Sequence, residues 1–397
     1  MDDSQQFLNS EKDYKTLSRS FHYYKLVALA LFLMFVVGGL IVFRNELTLE
    51  NFRYLVRYLD TGSGSLSSTE ARLEFDAGET SGGKAAIFKN DLILVNRNNY
   101  EVFDFHQGKI YDDTFSMTQP ALSVSSVHTL VYDMGGKRMR LYNSFSLLKE
   151  YQFDYPIFCA DSDSSGRYAV ATSEKNYHCA VYVYNASHNR IFRWLSADKY
   201  VYDVALGDGT DRLAIATLKA EQGDIVAELH VFSSRDGEYA SHYSFSGEMP
   251  LKAHTDGRYA RLLTDRALHT VDLESGETVT VRFDRERLSM YHFGKDYWTV
   301  ILNDNTVGVR QELLIGSRQG ELLRTEVVTQ TIADADHYGE YLYYLTDKAV
   351  LRIHAPTGER LEYPVDDLYS QLCIPGEESA VLIASSYAKL TVLQPKS

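Results

Sequence analysis

Two short stretches of this chain carry side chains whose types and spacing suggest chemistry. Asp161-Ser162-Asp163 with Gly166 has the opening of a calcium loop, in which alternating carboxylates wrap a hard cation. The twelfth position counted from Asp161 is Thr172, where such a loop requires a bidentate Glu. The stretch therefore reads as a polar turn between strands. Asp334, Asp336 and His337 combine carboxylates with an imidazole, a set that can hold a metal. In Asp334-Ala335-Asp336 the two carboxylates alternate onto one side of a strand, with His337 on the other side or in the turn. That spacing predicts a solvated strand end. The motifs of common enzymes are missing: there is no H-E-x-x-H, G-x-S-x-G, G-x-x-x-x-G-K-[ST] or C-x-x-C. Gly62-Ser63-Gly64-Ser65 is linker composition. The expectation is a protein that is not an enzyme, with no catalytic, cofactor-binding or metal-ligating residue.

The elements that would position any site are strands. From about residue 71 the chain runs in short alternating segments rich in Tyr, Val, Leu and Ile, broken by polar turns. They group in fours, beginning near Ala85, Ala121, Ile157, Tyr200, Pro250, Leu288, Ile332 and Tyr369. This spacing suits four-stranded propeller blades, which need roughly 40–50 residues each. One glycine-bearing hairpin recurs at 102–110, 131–139, 231–239, 271–279, 314–322 and 352–360. We place it between the third and fourth strands. Its counterpart at 183–191 lacks Gly, so Asn189 is expected to take the left-handed conformation there. A second turn type joins first and second strands at 161–170, 254–262, 293–301 and 338–345. The fourth group is long because of an extended hairpin at 217–229. The eighth group shows three strands, and ARLEF (71–75) is available to supply the fourth, closing the ring between the chain ends. The fold expected is all-β, an eight-bladed β-propeller over 71–397, with seven blades plus a decorated loop as the alternative.

The N-terminal part follows different physics. Leu26 to Phe43 is an uncharged, mostly apolar run between Lys25 and Arg44. Its eighteen residues, at about 1.5 Å each, are enough to cross a bilayer core as a helix. It lacks the polar face of a buried core helix and the cleavage site of a signal peptide. Residues 26–43 thus read as a transmembrane signal anchor behind a cytoplasmic tail, 1–25. Four cations before the run (Lys12, Lys15, Arg19, Lys25) against three after it (Arg44, Arg53, Arg57) point the N-terminus inward. The propeller is then extracytoplasmic at the plasma membrane, an inward-facing domain being the alternative. Residues 44–60 carry Leu49, Phe52, Val56 and Leu59 at helical spacing and read as an amphipathic juxtamembrane helix. Residues 61–70 read as a linker.

The chain has 397 residues and a net charge of −14. The acids and bases of residues 1–60 balance, so that charge falls on the C-terminal part and argues against a nucleic-acid partner. Cys159, Cys179 and Cys373 lie in or beside apolar stretches and offer no disulfide framework.

The anchor, LTLENFRYLVRYLD and the degenerate blades together resemble an uncharacterised family of single-pass membrane proteins of Gram-positive bacteria with an extracytoplasmic propeller-like domain. That resemblance implies topology and location; it supplies no reaction and no site residue. More distantly, the eight-blade count and the D-x-x-x-G turns look like quinoprotein-type propellers and the scaffold propellers of outer-membrane assembly. The tryptophan docking repeats of the quinoprotein enzymes are missing, since only Trp194 and Trp298 are present, and no cofactor is expected.

First strands line a propeller's channel. Their polar members Asp203, Lys252 and Asp334 are therefore the candidate ligand or partner site, against the plainer reading that channel charges stabilise one another through water. The functional expectation is a membrane-anchored interaction scaffold or sensor that meets an envelope protein or cell-wall partner. The alternative is an envelope enzyme or carbohydrate-binding propeller with its site in the channel.

Overall fold

The computed structural model describes Lys25, residues 27–35 and Val37, then residues 70–75 and 83–394 apart from 145, 236–237 and 305–309. The chain divides into two units, Met1–Ser63 and Gly64–Ser397. In the first, the described residues are helical and their apolar side chains are exposed, Phe35 and Met34 among them. No helix among the described residues is long and apolar enough to cross a membrane. The remainder of the expected anchor, the juxtamembrane helix at 44–60 and all of the linker but Glu70 lie outside the described residues.

The second unit is eight four-stranded antiparallel sheets, the blades of a propeller. Blades 1 to 7 take their strands in chain order, and their first strands begin at Lys84, Pro120, Ile157, Tyr200, Pro250, Leu288 and Ile332. Blade 8 begins at Gln371 and takes its outer strand from the other end of the unit: Ala71–Glu74 pairs with Tyr387–Val392. The all-β, eight-bladed reading therefore holds, and the seven-bladed alternative does not. Second and third strands are buried on both faces, as in Tyr168–Glu174 and Ala349–His354. Fourth strands, at the rim, keep the half-exposed alternation of an edge, as in Tyr239–Ser246.

Packing between blades is apolar. Cys159, Val181 and Val183 of blade 3 share a cluster with Val204, Leu213 and Phe232 of blade 4. Leu73 and Val381 of blade 8 meet Leu92 and Phe103 of blade 1, which closes the ring. Many tyrosines do the same work: Tyr100 of blade 1 stacks on Tyr142 of blade 2 with ring centroids 3.9 Å apart. All three cysteines are buried free thiols.

Three local readings need correction. VYDMGGKRM (131–139) joins the second and third strands of blade 2, Thr129–Asp133 and Arg138–Tyr142, not the third and fourth. In the glycine-free turn of blade 3 the left-handed residue is His188, with φ 62°, not Asn189. Asp334-Ala335-Asp336 is not a solvated strand end, because both carboxylates bond to the next blade.

Candidate functional site

Each blade packs its faces against the two neighbouring blades. Successive side chains of a first strand therefore turn alternately toward the preceding and the following blade. The first strands of blades 3 to 7 also share a β-bulge after their opening residues, where the register skips from Ile157 to Cys159, Val201 to Asp203, Pro250 to Lys252, Leu288 to Met290 and Ile332 to Asp334. A bulge re-aims the side chain that follows it. Asp203, Lys252 and Asp334 therefore occupy equivalent places on three blades, and Cys159 and Met290 occupy that place on the other two.

The structure brings Asp203 and Lys252 together and keeps Asp334 apart. Lys252 Nζ lies 3.0 Å from Asp203 Oδ2, and the Ala253 N–H of blade 5 donates to the same oxygen at 2.9 Å. Asp334, on blade 7, accepts the Leu372 N–H of blade 8 at 2.8 Å. Two residues beyond the bulge a second set does likewise. Asp161 accepts the Leu206 N–H of blade 4 at 2.9 Å and the Ser123 hydroxyl of blade 2 at 2.9 Å. Asp336 accepts the Ile374 N–H of blade 8 at 2.6 Å. Gln371 of blade 8 accepts the Ala85 N–H of blade 1 at 2.9 Å, across the joint between the two ends of the ring. These carboxylates and amides join blades. Each satisfies a first-strand N–H that the meander leaves unpaired, a group that costs about 1–3 kcal/mol when buried without a partner.

Burial pushes the Asp161 and Asp203 carboxyls up, and the Lys252 ammonium offsets part of that rise. Burial pulls Lys252 down, but Asp203 and Asp161 outweigh it and hold the ammonium protonated. Asp334 is likewise raised by burial. These groups are paired with one another or with backbone N–H groups rather than set out as a convergent array of free donors and acceptors.

The Asp161–Gly166 turn also has a structural occupant. Asp163 is fully buried, and Arg167 grips its carboxylate through Nε at 2.8 Å and Nη2 at 2.6 Å. Arg167 reaches on to Asp211 and Ser234 of blade 4, so the loop latches two blades. Arg261 does the same between blades 5 and 6, bonding His254, Asp256 and the Arg318 carbonyl.

Several chemically rich places carry no signal in the enzyme motifs. Glu228, on the third strand of blade 4, is fully buried. It faces Lys199 Nζ at 2.7 Å, Lys219 Nζ at 3.1 Å, His230 Nε2 at 3.2 Å and His242 Nε2 at 3.1 Å. Burial raises its carboxyl, but the bonds from His230, Lys199 and Lys219 overcome that and hold it below the ordinary carboxylate range. At the end of the channel formed by the first-to-second-strand turns, a 400 Å³ cavity opens among Phe88, Lys89, Val124, Ser125, Ser162 and Asp208. At that same end His292 and His337 meet across the joint of blades 6 and 7, with Nε2 to Nδ1 2.8 Å apart. Burial drops His292 to about 4, so it is neutral at physiological pH. A sequence signal for this pair exists. His254, His292 and His337 each stand just ahead of an in-phase turn glycine, Gly257, Gly294 or Gly339.

Comparison with known proteins bears on the fold. A family model described as "Family of unknown function (DUF5711)" matches residues 65–389. No curated protein matches the chain by sequence. Among solved structures, BamB from Moraxella catarrhalis is similar with a TM-score of 0.51 and 9% identity, over 81% of this chain and 98% of that one. The WD40 domain of SCAP from fission yeast aligns with a TM-score of 0.47 and 10% identity, over 82% of this chain and 96% of that one.

Proposed function

This chain belongs to the DUF5711 family, a family of unknown function, and from that premise we propose that it is a membrane-anchored, extracytoplasmic interaction scaffold. The residues of the channel wall carry the reading. Asp161, Asp203, Asp334 and Asp336 each hold a backbone N–H of the next blade, and Lys252 is paired with Asp203. Polar groups committed to joining blades make a rigid ring whose working surfaces are its ends. The apolar run 26–43 between Lys25 and Arg44 supplies the tether, and its cation bias favours an outward-facing propeller.

One end of the ring is the better contact surface. The hairpin of blade 4, Arg212–Glu221 and Asp224–Ser233, is the longest of any blade. Ile225 near its tip is exposed, as are Tyr177, at the second-to-third-strand turn of blade 3, and Tyr200, where the fourth strand of blade 3 leads into the first strand of blade 4, all at the same end. Tyr200 also stacks on His178 at 4.6 Å, which holds an aromatic plate at the joint of blades 3 and 4. A photo-crosslinking residue at Ile225 or Tyr200, in the full-length protein in its native envelope, should give adducts of discrete protein mass. The same residue at Tyr338, at the opposite end, should not. Adducts to polysaccharide alone would favour the carbohydrate-binding alternative. No adduct from either position at that end would overturn the scaffold reading.

A further inference from the structure

We propose that the joint between blades 6 and 7 is a binding site for an imidazole-preferring divalent transition metal, of the zinc class, held by His292, Asp336 and His337. His292 and Asp336 occupy equivalent places on adjacent first strands, each two residues beyond the shared bulge. His292 meets His337 across the joint, and Asp336, the residue before His337 on the same strand, turns toward blade 8 but brings its Oδ1 into the group. One ligand atom from each of the three lies within 4.8 Å of the others. His292 Nε2 is 2.8 Å from His337 Nδ1, and Asp336 Oδ1 is 3.7 Å from His337 Nδ1. Tetrahedral ligands at about 2.0–2.1 Å from zinc are separated by about 3.3 Å, so the two rings need to part by only about half an ångström.

The surroundings suit a cation. Two histidines and a carboxylate are a ligand set that transition metals accept and that calcium and magnesium, which take oxygen, do not favour. The carboxylate is already oriented: Asp336 Oδ2 accepts the Ile374 N–H at 2.6 Å, and Oδ1 accepts the His337 N–H at 2.8 Å. Gly294 leaves room for the His337 ring, since a Cβ there would come within 2.7 Å of His337 Cδ2. All three residues are partly exposed, so an ion can enter from the channel and keep water in a fourth position. The other histidine-rich cluster, at Glu228, lacks this character, because Lys199 and Lys219 sit on its carboxylate and would repel a dication. Other joints in the ring are closed by a carboxylate or amide oxygen on an N–H, by a hydroxyl on a carboxylate, or by an ion pair. Here two imidazoles meet instead, and a metal between them would replace their single shared proton, which shifts to a free ring nitrogen.

The test uses full-length protein stripped with chelator and titrated with Co(II). The expected result is the visible absorption of tetrahedral or five-coordinate Co(II) at one ion per chain, displaced by Zn(II), with a higher melting temperature under Zn(II) but not under Mg(II). His337→Ala, at a partly exposed position, should lower Co(II) affinity at least tenfold while preserving the fold, and His292→Gln should do the same. His242→Ala should leave binding unchanged. Absence of a Co(II) band in the wild type, a band that survives His337→Ala, or a band lost only in His242→Ala would each overturn the assignment.

Discussion

A chain that begins at residue 77 will melt well below one that begins at residue 61 and will aggregate on warming. The reason is the seam of the ring. Ala71–Glu74 pairs with the last strand through Ala71–Leu390, Arg72–Lys389, Leu73–Ala388 and Glu74–Tyr387, and the Phe75 N–H donates to Ser386 at 3.0 Å. Leu73 is buried among Leu92, Phe103, Val381 and Leu390, and Phe75 packs on Phe103 with centroids 6.1 Å apart. Fully burying a side chain of this size contributes about 1.5–3 kcal/mol, which Leu73 gains in full and the half-buried Phe75 in part. Truncation also strips the outer edge of Tyr387–Val392 of its partner and leaves it free to pair with other chains. Against a typical stability of about 5–15 kcal/mol, that loss is severe. Equal melting of the two versions would mean that the ring does not depend on this strand.

Glu228→Ala is expected to be the most damaging single substitution among the buried charges. The wild-type carboxylate is fully buried, and the Lys199 and Lys219 side chains around it are only 17% and 21% exposed. Removing one member of such a set strands the others, at a cost of about 3–5 kcal/mol. Glu228→Gln, which keeps an acceptor for Lys199 and Thr217, should lose less. The pH dependence has a definite sign. The carboxyl of Glu228 is depressed in the folded chain. Its contribution is therefore complete above the unfolded carboxylate value of about 4.3 and is lost as pH falls below it. Between about pH 5 and pH 3 the Glu228→Gln protein should show a flatter fall in urea midpoint than the wild type. Parallel curves would show that Glu228 titrates normally.

Much of the architecture is written in the turns, because a hairpin imposes its own chemistry on a few adjacent residues. Gly108, Gly276, Gly320 and Gly358 recur at one place in the third-to-fourth-strand turn, and all have positive φ. The first strands begin within two residues of where alternation and turn spacing place them. Gly135 misleads because it opens an equally good hairpin one strand earlier, and a short turn sequence does not encode its place within a sheet. The channel is harder to read for a physical reason. Asp203, Lys252 and Asp334 are identifiable as polar residues on first strands. Which of them touch depends on blade order and on bulges, and neither leaves a local trace. Asp334 reaches Leu372 and Glu228 reaches Lys199 across many intervening residues. His337 stands out in the sequence beside Asp334 and Asp336, but His292 does not, and the meeting of the two imidazoles across a joint belongs to the ring.

The measurement that bears most directly on a tethered, outward-facing scaffold is thiol accessibility in intact cells. The native cysteines, Cys159, Cys179 and Cys373, are all buried, so the wild-type chain provides a quiet background for a membrane-impermeant maleimide. Leu368, in the connection that enters blade 8, is 72% exposed. In wall-stripped cells Leu368→Cys should label at once, whereas Ser4→Cys should label only after the membrane is permeabilised. Labelling of Ser4→Cys in intact cells, with Leu368→Cys protected until permeabilisation, would contradict the account.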